Sequence, residues 1–207
     1  SGVGVTPEHR TLPQLLRIPG VPEVMISFAC YSAVEATAGM WAASYCTLLR
    51  GIDAQTAAGW ASLFYLGITV GRFFSGFLTM KFNDHQMIRG GQAVILLGVV
   101  LIFLPAGHTL LFAGLIIVGL GCAPIYPSII HETPANFGRN LSMSMTGVQM
   151  AAAYVGTTLL PPLFGLLAQH ITIGLFPWYL LVALVVMTVS SEAMHRKTAA
   201  HRAAQQE

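Results

Sequence analysis

With 207 residues, 55% of them hydrophobic and only 9% charged, the chain is too apolar for an ordinary soluble domain, in which about a quarter of residues carry charge. Its formal net charge of +2 is spread without a long basic patch, which argues against a nucleic-acid partner. Cys30, Cys46 and Cys122 fall in or beside apolar segments without CxxC spacing, so they read as small packing residues rather than disulfides or metal ligands.

Residues 1–20 are polar and punctuated by Pro7, Pro13 and Pro19; they read as a linker and lack the apolar core and cleavage site of a secretory signal. Apolar runs of spanning length then predict six transmembrane helices, at roughly 21–47, 57–80, 88–106, 110–131, 141–168 and 173–193. Short polar connections separate them, and residues 194–207 form a tail. With six spans, one side collects Arg10, Arg17, Lys81, Arg89, Arg139, Arg196, Lys197 and Arg202, against Arg50 on the other. Because basic loops stay inside, both termini are expected in the cytoplasm, and the cell membrane is the expected location.

The first span carries Glu35 near its middle. An acidic residue at the bilayer centre costs about 2.5–3.5 kcal/mol, so it should face protein or a wet cavity. Helical spacing puts Phe28, Tyr31, Ser32, Glu35, Gly39 and Ala42 on one stripe, which gives the carboxylate a phenol and a hydroxyl as neighbours. Two readings stand: a solute- or proton-binding group in a transport pathway, or a structural glutamate satisfied by another helix.

In the second span, Gly67, Gly71 and Ser75 make a small-residue seam, and Arg72 lies close enough to the cytoplasmic end for its stem to reach the interface. Its expected anionic partner is Glu132, with Arg139 following. The fourth span is interrupted by Gly119, Gly121, Pro124 and Pro127, a break tolerated where protein or a wet cavity re-satisfies the backbone; Tyr126 stands there with a hydroxyl. On the fifth span Thr146, Gln149, Ala153 and Thr157 share a face, and Pro161–Pro162 should end or bend the helix. Gln149 reads equally as a ligand-facing amide or as an interhelical hydrogen bond. Trp41, Trp60, Phe176, Trp178 and Tyr179 fit an interfacial aromatic belt.

Glu132-x6-Arg139 after a Gly/Pro-broken span, a "GR…G" helix two spans earlier and cytoplasmic termini together resemble the C-terminal half of a major facilitator superfamily transporter. The phrases "APIYPSIIHETPANFG" and "GVQMAAAYVGTTLLPPLFG" are similar in flavour to its fucose:proton symporter branch. The resemblance implies an all-α integral membrane fold: two three-helix inverted repeats, roughly 21–106 and 110–193, forming half of a twelve-helix transporter. It also implies alternating access, a matching N-terminal six-helix half as partner, and a small polar, sugar-like solute, with protons as a candidate co-substrate. Glu35, Tyr31, Gln149, Tyr126 and Thr157 would then bind solute or proton. Arg72, Glu132 and Arg139 would belong to a cytoplasmic charge network that gates the pathway. The superfamily's cytoplasmic signature, aligned on Gly76, places Met80, Lys81, Asn83 and Asp84 where Asp, Arg, Gly and Arg are expected, so only the basic Lys81 agrees.

Proton-driven efflux of lipophilic compounds and a non-transporting scaffold or receptor are the alternatives. An enzyme is the least supported class, because neither a nucleophile–base pair nor metal spacing occurs. A zinc motif starting at His131 would need histidine at position 135, where Ala135 stands. No cofactor is expected.

Overall fold

A computed structural model describes residues 7–105, 107–205 and 207, and they fold as helices and short connections. The helices are α1 Leu12–Leu16, α2 Val21–Leu48, α3 Ala54–Leu78, α4 Asp84–Phe103, α5 Gly107–Cys122, α6 Ile125–Phe137, α7 Ser142–His170, α8 Phe176–Lys197 and α9 Ala199–Ala204. A 3₁₀ turn, Ile173–Leu175, leads into α8.

Five segments are long and apolar enough to cross a membrane: α3, α4, the continuous run Gly107–Phe137, α7 and Ile173–Lys197. The 28-residue α2 is the sixth expected span. At 1.5 Å per residue it is about 42 Å long, and its polar stripe, with Ser27, Tyr31, Ser32, Glu35 and Thr37, dilutes its hydropathy. The protein is thus an all-α, multi-pass membrane protein.

Local signals set the helix ends. Asp53 caps α3 by accepting from the Thr56 N–H at 3.0 Å, a bond that holds its carboxyl below the ordinary range. Asn83 and Gln86 form a reciprocal capping box at α4, with bonds of 2.8 and 3.1 Å. The break expected in the fourth span falls at Ala123–Pro124, between α5 and α6. Pro161 and Pro162 do not end α7, which continues to His170. Neighbouring helices tie in at that step: Trp41 Nε1 donates to the Pro161 carbonyl at 3.0 Å, and the Tyr179 hydroxyl to that of Leu160 at 2.7 Å. Trp41 and Tyr179 are therefore helix-to-helix ties, whereas Trp178, 56% exposed, keeps the position of a belt residue.

In the packing, α2 lies against α7 and α8, while α5 lies against α3 and α4. Without a hydrophobic drive inside a bilayer, such contacts rest on close backbone approach. Gly98 on α4 meets Gly114 on α5, and Gly91 meets Gly121; a Cβ at Gly98 would stand 2.8 Å from the Gly114 carbonyl oxygen. On the α2–α7 interface, a Cβ at Gly156 would lie 2.3 Å from the Ala29 carbonyl oxygen. Gly67 and Gly71 face α5, as the seam expected on the second span requires.

One end of the bundle gathers α1, α9 and the α3–α4 and α6–α7 connections. There Arg89 clasps Glu192 through bonds of 2.7 and 2.6 Å, Lys197 pairs with Glu23, and His131 Nδ1 lies 2.6 Å from Asp84. Residues 7–20, expected as a plain linker, dock here: Asn140 Nδ2 donates to Glu8 at 2.6 Å, and Leu15 of α1 is buried.

Arg50 marks the opposite end. Its guanidinium donates to the Ile102 and Leu104 carbonyls at 3.4 and 3.2 Å, groups that the end of α4 leaves without helical partners. Removing a charged donor from two such acceptors costs about 2 kcal/mol. Arg50→Ala is expected to lower the thermal midpoint of purified protein by several degrees, and Arg50→Lys to restore part of the loss. An unchanged midpoint in both would deny the guanidinium this capping role.

Candidate functional site

Four helices line an open cavity of about 380 Å³, within the range of small-molecule sites. The α2 stripe contributes Tyr31, Ser32, Glu35 and Ala36, and α3 contributes Tyr65 and Arg72. Tyr126 enters at the start of α6, and Met150, Ala153, Tyr154 and Thr157 come from α7. The α5–α6 break puts Tyr126 at the first turn of a new helix, where its ring meets Phe28 at 5.4 Å and Tyr31 at 6.3 Å.

Glu35 is half-buried in this wall. The Tyr31 hydroxyl is buried beside it, close enough to act on the Glu35 carboxylate but short of good hydrogen-bond geometry. The Arg72 guanidinium carbon sits 5.9 Å from the centre of the Tyr126 ring, a cation–π distance. Neither Glu35 nor Arg72 forms an ion pair among the described residues, although both line the same cavity.

Other cavities differ in kind. One of about 420 Å³ between α3, α4 and α5 has Phe74, Leu78, Phe82 and Met87 in its wall and no charged side chain. Another, between α4 and α8, contains Arg89 and Glu192, which neutralise each other. Only in the Glu35 cavity, among these three, do opposite charges stand unpaired.

Of the residues expected to bind solute or proton, Glu35, Tyr31, Tyr126 and Thr157 line one cavity and Gln149 does not. Gln149 is fully buried, and its Oε1 accepts from the Thr133 hydroxyl at 3.1 Å, so it ties α7 to α6. The helix turns that face of α7 inward at residue 149 and toward the cavity at Met150, Ala153, Tyr154 and Thr157.

The expected gating set is also divided. Arg72 lines the Glu35 cavity, and Glu132 is not its partner. Glu132 is buried against Asn136, with Asp84, His131 and Arg202 as the charged groups acting on it. Arg139 is exposed and forms no ion pair among the described residues. What holds this end together is a set that spacing did not reveal: Arg202 donates to Asn136 Oδ1 at 2.9 Å and to the His195 carbonyl at 2.5 Å, while His85 and His195 stack at 3.5 Å.

Tyr65 and Tyr154 were not foreseen as site residues. A signal existed for Tyr65, because Gly39 on the Glu35 stripe leaves space that its hydroxyl occupies; a Cβ at Gly39 would stand 2.0 Å from it.

A family model described as Major Facilitator Superfamily matches residues 24–199. The chain belongs to that superfamily. It is 24% identical over 187 residues to Bypass of stop codon protein 6 of Saccharomyces cerevisiae, covering 85% of this chain and 37% of the yeast protein. It is 29% identical over 124 residues to a Helicobacter pylori protein named "Putative glucose/galactose transporter", covering 60% of this chain and 30% of that protein. The solved E. coli fucose:proton symporter FucP, in its outward conformation, superposes with a TM-score of 0.73 at 17% identity, over 90% of this chain and 44% of FucP. The POT family transporter PepTSo gives 0.73 at 15% identity, over 91% and 38%. The chain thus spans about a third of the length of the curated relatives it matches and less than half of these solved structures. At such identities the structural likeness establishes the fold, half of a major facilitator architecture.

Tyr31→Phe separates structure from binding at this site. Phenylalanine keeps the buried ring and its packing, so stability should change little, whereas a solute bonded to that oxygen loses about 0.5–1.5 kcal/mol, or roughly three- to tenfold in affinity. Thermal unfolding and solute titration of the same preparation check both halves. A fall in stability without a change in affinity would make Tyr31 a packing residue.

Proposed function

We propose that the chain is the C-terminal half of a secondary active transporter that moves a small polar, sugar-like solute by alternating access. The cavity with Glu35, Arg72 and the tyrosines carries this reading: it offers hydrogen-bond groups of both kinds together with aromatic faces, the combination that suits a polyhydroxylated ring. The sugar-transporter names among the relatives support the same class. A matching N-terminal half, on the same or a separate chain, would supply the facing wall, and rocking of the halves would expose the site to each side in turn.

In this proposal α2–α4 and α5–α8 are two inverted repeats. Their packing supports it, since α2 lies against the second and third spans of the other repeat and α5 does the same in return. Both termini are cytoplasmic, because the basic end of the bundle carries them, and the membrane is the plasma membrane. Glu35 carries the proton if transport is proton-coupled, and Glu132 with Arg139 belongs to the cytoplasmic gate.

The test is uptake and counterflow of radiolabelled sugars in liposomes containing the whole transporter. Saturable exchange of at least one sugar is the expected result. No exchange of any sugar by folded protein would overturn the reading, and extrusion of a lipophilic dye under a proton gradient would replace it with efflux.

A further inference from the structure

We infer that Arg72 reads an acidic group on the solute, and that the preferred ligands of this cavity are sugar acids, pyranoses bearing a carboxylate, rather than neutral sugars. The inference rests on the sugar-transport reading and deepens it. Arg72 is exposed on the cavity wall and has no carboxylate within ion-pair distance among the described residues. It faces the open cavity in the membrane-spanning part of the bundle, where an ionisable side chain marks a solute pathway, with the Tyr126 ring face beside it.

Glu35 shares the cavity without bonding to Arg72, so the guanidinium fork stays open on its cavity side. A neutral sugar would give it hydroxyls but no counter-charge. A carboxylate matches the fork with two parallel hydrogen bonds and neutralises it. Glu35 and the exposed Thr157 then remain for the ring hydroxyls. Tyr65 and Tyr154, 51% and 70% exposed on α3 and α7, offer faces for the sugar ring itself.

The test measures equilibrium binding to the purified whole transporter of three probes: galactose, galacturonate, and galacturonamide, which is the neutral isostere of the acid. Galacturonate should bind at least about tenfold more tightly than galacturonamide, equivalent to about 1.4 kcal/mol. Arg72→Gln should bring that ratio close to one, and Arg72→Lys, which keeps the charge without the fork, should retain part of it. Gel filtration establishes that each variant is folded, and the Lys variant keeps the test informative if the Gln variant is not. Galactose binding with no preference for the acid, or a preference that survives Arg72→Gln, overturns the inference and leaves the sugar reading standing. Binding of none of the three overturns the inference, and only the further absence of exchange across the whole sugar panel overturns the sugar reading with it.

Discussion

Glu35→Gln is expected to remove the pH dependence of solute uptake and to reduce concentrative uptake by at least about tenfold, or about 1.4 kcal/mol, while solute exchange between loaded vesicles persists. Glutamine keeps the volume of the side chain and much of its hydrogen-bonding capacity but cannot take up or release a proton. The prediction follows from position: a half-buried carboxylate, in a membrane-crossing helix, lines a cavity without an ion partner among the described residues. Ionisable groups inside the membrane are rare and characteristically mark solute or proton pathways. Uptake across a pH gradient, with expression and monodispersity matched, distinguishes the cases. Unchanged pH dependence would remove Glu35 from coupling, and loss of exchange together with uptake would make it a solute ligand instead.

The second large effect concerns the fold. Gly98→Leu should destabilise the bundle by about 3 kcal/mol, at the upper end of what overpacking usually costs, and should be seen as loss of the monodisperse species in mild detergent. A side chain at Gly98 meets the Gly114 carbonyl oxygen at 2.8 Å and the Val118 backbone nitrogen at 2.7 Å, and backbone atoms cannot rotate away as a side chain would. The α4–α5 contact would have to open. Gly76→Ala on α3 is the matched control: nothing lies within 4 Å of a Cβ there, so alanine should be tolerated, or should gain up to about 1 kcal/mol from its helix propensity. Equal tolerance of both substitutions would mean that the α4–α5 approach is not the close one described.

If the cavity is the solute site, these two effects are separable. Glu35→Gln should leave the thermal midpoint near that of the unmodified protein, because the group makes no ion pair there, whereas Gly98→Leu should abolish transport only through loss of folded protein.

Much of the architecture could be read directly along the chain. Spanning length, the polar connections and the Gly/Pro break between α5 and α6 are local properties, set by hydropathy and backbone chemistry within about 25 residues. The Glu35 stripe was equally visible, because residues three and four apart on one helix must share a face. That alone placed Tyr31, Ser32 and Glu35 together.

What the chain could not reveal is how each helix is rotated against the others. Gln149 and Thr157 belong to one helical stripe, yet the packing of α7 on α6 takes Gln149 inward to Thr133 and leaves Thr157 at the cavity. Arg72 looked like a partner for Glu132 because both lie toward the same end of their spans. Its direction around α3, set where Gly67 and Gly71 seat against α5, turns it instead toward Tyr126 and the Glu35 cavity. Glu132 meets Asn136 on its own helix and faces Arg202 from the far end of the chain. Periodicity determined which residues share a helix face; only the close approach of glycine-lined backbones, which sets rotation and depth between helices far apart in sequence, decided which faces meet.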